Sequence, residues 1–121
     1  ILIRGFTLFV LVMNERNILV DMSATIIHHG HIRLLKKAKR YGKVIVALTT
    51  DKEIKKYKKI NTFLNYSQRK EILNSIKYVY KVIPSKWKIT NKFLKKNKID
   101  LIVRGNDHKN DNFEIKKKIF P

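Results

Sequence analysis

Short apolar runs alternate with lysine-rich amphipathic segments along the chain from residue 17 to residue 105. Four runs have the length and the β-branched content of strands: NILVDM (17–22), KVIVALTT (43–50), YVYKVIP (78–84, stopped by Pro84) and IDLIVRG (99–105). The second run is apolar without a break, which is typical of a strand covered on both faces. The pattern therefore predicts four strands, at least one of them in the middle of a sheet.

The segments between these strands carry apolar residues at helical spacing. The predicted helices cover residues 30–41, 67–77 and 90–97, and the last two begin at Ser67 and Thr90, whose hydroxyl groups can cap a helix. The basic stretch at 51–66 shows no clear period. We predict an irregular connection there, with about one helical turn at most.

Strands that alternate with helices through short connections indicate an α/β fold. We predict a Rossmann-like open parallel sheet with helices on both faces. In such sheets ligands bind at the carboxyl ends of the strands. The segments at those ends are polar: SAT (23–25) with HHGH (28–31), TTD (49–51), IPS (83–85) and RGNDH (104–108). A functional site is expected along this edge.

Composition narrows the class of protein. A length of 121 residues suits one domain, and the lack of Cys excludes disulfides and thiolate chemistry and favours a reducing compartment. The net charge of +19 favours polyanionic partners, namely nucleic acid, phosphorylated metabolites or an anionic membrane surface. Biased codon usage explains the many scattered lysines equally well.

The first residues are treated apart from the domain. The apolar run ILIRGFTLFVLVM is interrupted by Arg4 and Gly5 and is shorter than the roughly 20 residues of a membrane-spanning helix. Met13 would make a natural start. We therefore expect no membrane span, and we interpret residues 1–16 as an extension, native or not, outside a domain at 17–121.

Three histidines lie in the four positions HHGH, directly before a basic helix. His28 and His31 are three residues apart, so both can face the same side of the first helical turn. A helix N-terminus attracts anions, and Gly30 would let a ligand approach the backbone. Imidazoles there could donate to phosphate oxygens. A zinc site completed by His108, Asp107 or Asp51 and a purely structural histidine pair are the alternatives.

Two segments carry a resemblance to a known family. HHGH has the H-x-G-H form of the cytidylyltransferase-like nucleotidyltransferases. YSQRKEILNSIKYVYKVIP (66–84) resembles the second signature of the cytidylyltransferase branch, where an arginine opens a helix that leads into a form close to R-Y-V-D-E-V-I-P. GNDH (105–108) is similar to a G-D-D motif after the fourth strand. The resemblance covers residues 17–121 and is closest to the small bacterial glycerol-3-phosphate cytidylyltransferases.

This resemblance implies an enzyme with the HIGH-type nucleotidyltransferase fold. Members transfer CMP from CTP, which carries Mg²⁺, to a phosphorylated alcohol and release pyrophosphate. Glycerol 3-phosphate is the first expected acceptor, with choline, ethanolamine or sugar phosphates, and ATP as the nucleotide, left open. The resemblance also implies a cytoplasmic homodimer with no metal ligands of its own and no specific nucleic-acid partner.

The resemblance assigns roles to ten residues. It makes His28, His31 and Arg69 catalytic: the histidines hold the triphosphate and stabilise the transition state, and Arg69 grips a phosphate bidentately. The nucleotide- and phosphate-binding residues would be Ser23, Ala24, Gly30, Lys56, Lys58, Asn106 and Asp107. His29 is expected to be a packing or outer-shell residue rather than a catalyst. The alternatives are a solvated helix position for Arg69, a solvated face for the two lysines and simple turn chemistry for Asp107.

Some features depart from the family pattern. Thr25 and Tyr80 stand where acids are usual, and Asn106 also replaces an acid. After KIFP (118–121) the family continues with a motif close to R-T-x-G-I-S-T-T, so we expect a domain truncated at its C-terminus. A degenerate nucleotide-binding protein on the same fold and a basic nucleic-acid-binding module remain the alternative functions.

Overall fold

The computed structural model describes residues 16–105 and the strand at 113–117. The strands are β1 (Asn17–Met22), β2 (Lys43–Thr49), β3 (Val79–Ser85), β4 (Leu101–Gly105) and β5 (Phe113–Lys117). The helices of the described part are α1 (His29–Lys39), α2 (Asp51–Lys58), α3 (Tyr66–Asn74) and α4 (Asn91–Lys96). The alternation of β1 to β4 with α1, α3 and α4 is the one predicted from the sequence.

The five strands form one sheet in the order β3-β2-β1-β4-β5. The first four are parallel, and β5 runs antiparallel to β4 with Gly105 opposite Phe113. The chain builds outward from β1 to β3 on one side and then crosses to β4 on the other side. The strand order therefore reverses between β1 and β4, which is where an open α/β sheet binds its ligands.

Apolar side chains cover both faces of the sheet. On one face, Leu35 and Ala38 of α1 and Leu73 of α3 pack with β1 and β2 residues in one buried cluster. On the other face, Leu94 of α4 packs with a second cluster that includes Leu19, Ile45 and Ile102. The predicted Rossmann-like parallel sheet with helices on both faces is confirmed, with β5 as an antiparallel addition at one edge.

Three predicted boundaries were wrong. Residues 51–58 form the helix α2, which Thr50 caps, where an irregular connection was expected. Helix α3 begins at Tyr66 with Asn65 as its N-cap, so Ser67 is not the cap. Strand β3 continues through Pro84, which pairs with Leu48. Because β3 is an edge strand, the N–H that proline lacks is not needed for a second neighbour.

The described residues include no helix that is both long and apolar enough to cross a membrane. Residues 1–15 of the predicted N-terminal extension lie outside the described part of the chain.

Candidate active site

A cleft of about 320 Å³ opens between β1, β4 and α1, at the point where the strand order reverses. Its size is near the lower end of the range for small-molecule sites. The cleft is lined by Asp21, Met22, Ser23, Ala24, His31, Leu34, Arg104 and Gly105. The edge of the sheet chosen from the sequence is therefore the edge that carries the cleft, and three of the predicted site residues lie in it.

His28 and His31 form the cap of α1. The Gly30 backbone N–H donates to Nδ1 of His28 over 3.0 Å, and the His28 backbone N–H donates to Nδ1 of His31 over 3.1 Å. The two rings lie side by side, with centroids 4.2 Å apart. This arrangement is a capping box built from imidazoles, in which two backbone donors of the helix start are satisfied reciprocally.

The capping bonds decide which ring nitrogen carries the proton. A neutral imidazole that accepts through Nδ1 has its hydrogen on Nε2. Both His28 and His31 therefore keep an Nε2–H donor that the helix does not use for capping. His31 lines the cleft and His28 lies beside it, so two such donors stand at the positive end of the α1 dipole.

Gly30 makes room for the His28 ring. A Cβ atom on residue 30 would lie 2.8 Å from Cε1 and 3.0 Å from Nδ1 of His28, closer than side chains pack. The His28 imidazole thus lies close to the Gly30 backbone, and the ligand contact expected at Gly30 stays a prediction. His29 is exposed, and its ring lies 5.7 Å from that of His28.

Gly30→Ala should lower the activity of this site while leaving the stability of the protein nearly unchanged. The added methyl group displaces the His28 ring, so we expect turnover to fall at least about a hundredfold, as for loss of one oriented donor. The melting temperature should change little, because alanine gains about 1 kcal/mol of helix propensity while the lost cap costs about as much. Turnover and thermal unfolding measured on one preparation test this, and full turnover would contradict the assigned ring position.

Arg69 lies beneath the site and is fully buried. Nη1 donates to the Ser23 carbonyl over 2.6 Å and to the Thr49 carbonyl over 2.9 Å, and Nε donates to the Leu64 carbonyl over 3.2 Å. Nη2 forms an ion pair with Asp51 at 2.6 Å. The guanidinium joins the ends of β1 and β2 to the start of α2, and we call this set of contacts the clamp. The alternative of a solvated Arg69 is wrong. In this structure the guanidinium donors that were predicted to bind phosphate instead bind backbone carbonyls and Asp51.

Asp51 is the acidic partner of this clamp. Burial alone would raise the pKa of its carboxyl, but the Tyr66 backbone N–H, the Arg69 guanidinium and the Thr62 hydroxyl all donate to it. Together with the charge of Arg69, these bonds outweigh the burial and lower the pKa of Asp51 below its usual value. Asp51 is therefore held as a carboxylate.

This pKa shift predicts a stability that depends on pH. The unfolded chain binds a proton at Asp51 more readily than the folded chain, so folding is favoured above the unfolded pKa of about 3.9 and loses that contribution as the pH falls through the lower folded pKa. We expect the difference in urea midpoint between the protein and its Asp51→Asn variant to be constant from about pH 7 to 5 and to shrink towards pH 3. A difference that grows on acidification would contradict the assignment.

An aromatic stack joins α2 to the segment that follows β3. The rings of Tyr57 and Trp87 are nearly parallel, with centroids 5.3 Å apart, and the Trp87 backbone N–H donates to Glu53 over 2.9 Å. Lys58 extends its ammonium group over the Trp87 ring and donates to the Ser23 hydroxyl over 3.4 Å. Lys58 thus contacts Ser23, which lines the cleft, while Lys56 lies over the ring of Tyr57, and the phosphate-binding roles assigned to both lysines stay predictions.

The strand-to-helix turn carries the remaining predicted residues. Ala24 lines the cleft, is 2% exposed and has a positive φ of 47°, which is unusual for a residue with a Cβ atom. Its neighbour Ser23 also lines the cleft. Asn106 and Asp107 lie outside the described residues, and their assigned roles stay predictions.

The sequence analysis missed the ion pair inside the cleft. Asp21 of β1 accepts from Nε of Arg104 of β4 over 3.1 Å, and Nη2 of Arg104 lies 3.5 Å from the second carboxylate oxygen. A signal for it was present, because each charge stands next to last in its strand and directly follows three apolar residues. No three His, Cys, Asp or Glu side chains of the described part are grouped closely enough to hold a metal ion.

Comparison with known proteins identifies the class of this fold and site. The sequence profile of the Cytidylyltransferase-like family matches residues 23–119, from the turn before the histidines to the end of the sheet and beyond. The chain belongs to the cytidylyltransferase-like family.

Relatives within this family include enzymes with different named products. Glycerol-3-phosphate cytidylyltransferase of Staphylococcus aureus is 42% identical over 68% of this chain and 63% of the relative, and that of Bacillus subtilis is 40% identical over 68% and 64%. FAD synthase of Pyrococcus horikoshii is 35% identical over 78% of this chain and 65% of the relative. The chain thus matches less than about two thirds of the length of each relative.

A solved structure shares the fold. The lipopolysaccharide core biosynthesis protein from Thermoplasma volcanium superposes with a TM-score of 0.64 at 22% identity, over 72% of this chain and 71% of that one. At this identity the likeness supports the α/β Rossmann-like architecture alone.

Proposed function

We propose that this protein is a cytidylyltransferase that transfers CMP from CTP to a phosphorylated alcohol, with glycerol 3-phosphate as the first acceptor. The observation that carries the proposal is the pair of imidazoles at the start of α1, whose Nδ1 atoms accept from the backbone and whose Nε2 atoms therefore carry the ring hydrogens. Family membership and the glycerol-3-phosphate cytidylyltransferase relatives support it.

The proposed reaction needs no protein nucleophile. An oxygen of the acceptor phosphate forms a bond to the α-phosphorus of CTP, the bond from that phosphorus to the bridging oxygen breaks, and pyrophosphate leaves with the electron pair. Negative charge grows on the phosphoryl oxygens and the leaving group. Two donors and a helix N-terminus that are already oriented stabilise that charge without reorganising, which is the largest contribution in many such sites.

The fixed geometry also favours this role over a purely structural one. An Asn-x-x-Gln pair, Asn65 and Gln68, forms the same capping box on α3 of this chain, with both bonds at 2.9 Å. Helix capping therefore does not require histidine, and the Nε2–H groups are what His28 and His31 add.

Mg²⁺ is expected to arrive with the nucleotide. Asp21, which lines the cleft, and Asp51, which pairs with Arg69, are each engaged by an arginine, which fits a metal ion held mainly by the triphosphate rather than by a protein cluster. Neutralisation of phosphate charge is the chemistry that the ion would supply.

As part of this proposal we place the acceptor beside Lys58, whose charge above Trp87 then favours a neutral acceptor alcohol. The ammonium group of Lys58 already lies 5.7 Å from the ring centroid, so a second cation such as choline or ethanolamine would meet like charge there. The same ammonium group attracts the acceptor phosphate. Glycerol 3-phosphate offers that phosphate without a competing positive charge.

The experiment that tests the proposal measures pyrophosphate release with CTP or ATP against glycerol 3-phosphate, choline phosphate and ethanolamine phosphate. ATP is included because a relative is named FAD synthase, and FAD contains an adenylyl group. We expect release that requires both CTP and glycerol 3-phosphate, and unchanged release in a His29→Ala control.

Two outcomes would overturn the proposed function. Binding of CTP without pyrophosphate release from any acceptor indicates a degenerate nucleotide-binding protein. Salt-sensitive binding to random DNA that CTP does not displace indicates a nucleic-acid module, as the net charge of +19 alone would allow. Sedimentation of the same sample tests the predicted homodimer.

A further inference from the structure

The carboxyl halves of β1 and β4 are joined by side chains where their backbone pairing ends. The two strands pair at Ile18 with Leu101 and at Leu19 with Ile102. Asp21 and Arg104 lie two residues further along each strand, and their ion pair at 3.1 Å connects the two strands beyond the last paired residues. Both residues line the cleft, so this ion pair forms part of its surface at the point where the strand order reverses.

The ion pair is partly accessible from the cleft. The Asp21 side chain is 24% exposed and the Arg104 side chain 37%. Asp21 takes up Nε and Nη2 of the guanidinium, and no group of the described residues takes up Nη1. A ligand therefore meets remaining N–H donors of Arg104 and remaining carboxylate lone pairs of Asp21 next to each other.

Charge decides which part of a nucleotide suits this surface. Arg104 is neutralised by its partner, so the pair is a poor site for a triphosphate, which has His28, His31 and Lys58 nearby. Side-by-side donors and acceptors instead match a neutral group that presents both. The other cleft walls include apolar side chains, from Met22, Ala24 and Leu34, which suit the faces of a flat ring.

We propose that the Asp21–Arg104 pair reads the hydrogen-bonding edge of the nucleobase and selects cytosine over uracil. This inference rests on the proposed function, because it takes the bound substrate to be a nucleoside triphosphate. Asp21 accepts from the exocyclic amine of cytosine, while Arg104 donates to the adjacent ring nitrogen and carbonyl. Uracil presents a carbonyl and a ring N–H at the first two of these positions, so an acceptor would face the Asp21 carboxylate and a donor would face the guanidinium.

The test replaces Asp21 by Asn, which keeps the size of the side chain and exchanges one acceptor oxygen for a donor. Affinities for CTP, UTP and inorganic tripolyphosphate are measured by titration calorimetry. For the unchanged protein we expect CTP to bind about ten- to a hundredfold more tightly than UTP, the discrimination typical of hydrogen bonds to charged groups. Asp21→Asn should reduce that ratio at least about tenfold and leave tripolyphosphate binding unchanged.

A matched control comes from the other end of the same strands. Asp100 accepts from the Asn17 backbone N–H over 2.9 Å, at the amino edge of the sheet and away from the cleft. Asp100→Asn removes the same charge, so it should leave the ratio of CTP to UTP affinity unchanged. Arg104→Lys is the second variant, to be used if Asp21→Asn fails to fold. It keeps the charge and loses the guanidinium fork, so it should also lower the ratio of CTP to UTP affinity.

The outcomes separate this inference from the proposed function. Equal loss of CTP, UTP and tripolyphosphate binding in Asp21→Asn would mean that the pair only braces the strands, and it would overturn base reading while transfer stands. A protein that discriminates CTP from UTP through Asp21 and releases no pyrophosphate would keep base reading and overturn transfer. A protein that binds no nucleotide would overturn both.

Discussion

Replacement of Arg69 by Met should lower the free energy of unfolding by about 3–5 kcal/mol, because three backbone carbonyls lose a fully buried donor and each acceptor left without its donor costs about 1–3 kcal/mol. The variant leaves the Ser23, Thr49 and Leu64 carbonyls without their donor and leaves Asp51 without its counter-charge. Methionine fills part of the volume, so the loss is mainly one of hydrogen bonds and charge rather than of packing. Urea unfolding monitored by circular dichroism measures it.

Two further variants show whether the effect belongs to the clamp. Lys52→Met removes one positive charge from the exposed face of α2 and should change the free energy of unfolding by no more than about 0.5 kcal/mol. Adding Asp51→Asn to Arg69→Met should cost less than the sum of the two single changes, because the partners are coupled. If Arg69→Met unfolds like the parent protein but loses CTP affinity, Arg69 is a ligand and not a clamp.

His28→Asn and His31→Gln should each reduce the rate of CMP transfer by about 10²- to 10³-fold, the effect of removing one oriented donor from a charge-stabilising site. The exchange is chosen so that α1 keeps its cap. Asn and Gln are the residues that make the equivalent box on α3, where Asn65 and Gln68 accept the two backbone N–H groups. The free energy of unfolding should therefore change by less than about 1 kcal/mol.

Comparison with alanine sharpens this prediction. His28→Ala removes both the cap and the donor, so it should lose the same activity and about 1 kcal/mol of stability in addition. His29→Ala should affect neither, since the His29 ring lies outside the box. Activity retained in His28→Asn would mean that the histidines serve only the helix, and stability lost with activity would mean that the two roles cannot be separated.

Most of the fold could be predicted because its strands are apolar and its helices are periodic. Helix α2 could not, because it is a short and strongly polar helix in which Ile54 is the one buried side chain. The available signal was at its start, where Thr50 caps the helix and Asp51 and Glu53 complement the dipole. Asn65 and Gln68 gave a similar signal for α3 that the more obvious Ser67 obscured.

The sequence predicted the part of the candidate site that lies within one short segment. It predicted less well the parts that form where segments distant in sequence come together. His28 and His31 belong to a single turn, so their spacing was enough to bring them together. Arg69 depends on Asp51, 18 residues earlier, and on carbonyls from two strand ends, so its burial follows from tertiary packing that no local pattern records. Asp21 and Arg104 meet only because β4 crosses to the far side of β1.

The imidazole capping box has a consequence for how a copy of this gene can lose catalysis while its product still folds. Because Asn and Gln satisfy the same two backbone donors, a gene copy released from selection for catalysis could drift to Asn at residue 28 and Gln at residue 31 and still encode a folded domain. The step from enzyme to inactive paralogue would then carry almost no folding penalty. Asn at residue 28 together with Gln at residue 31 would identify such paralogues from their gene sequences alone.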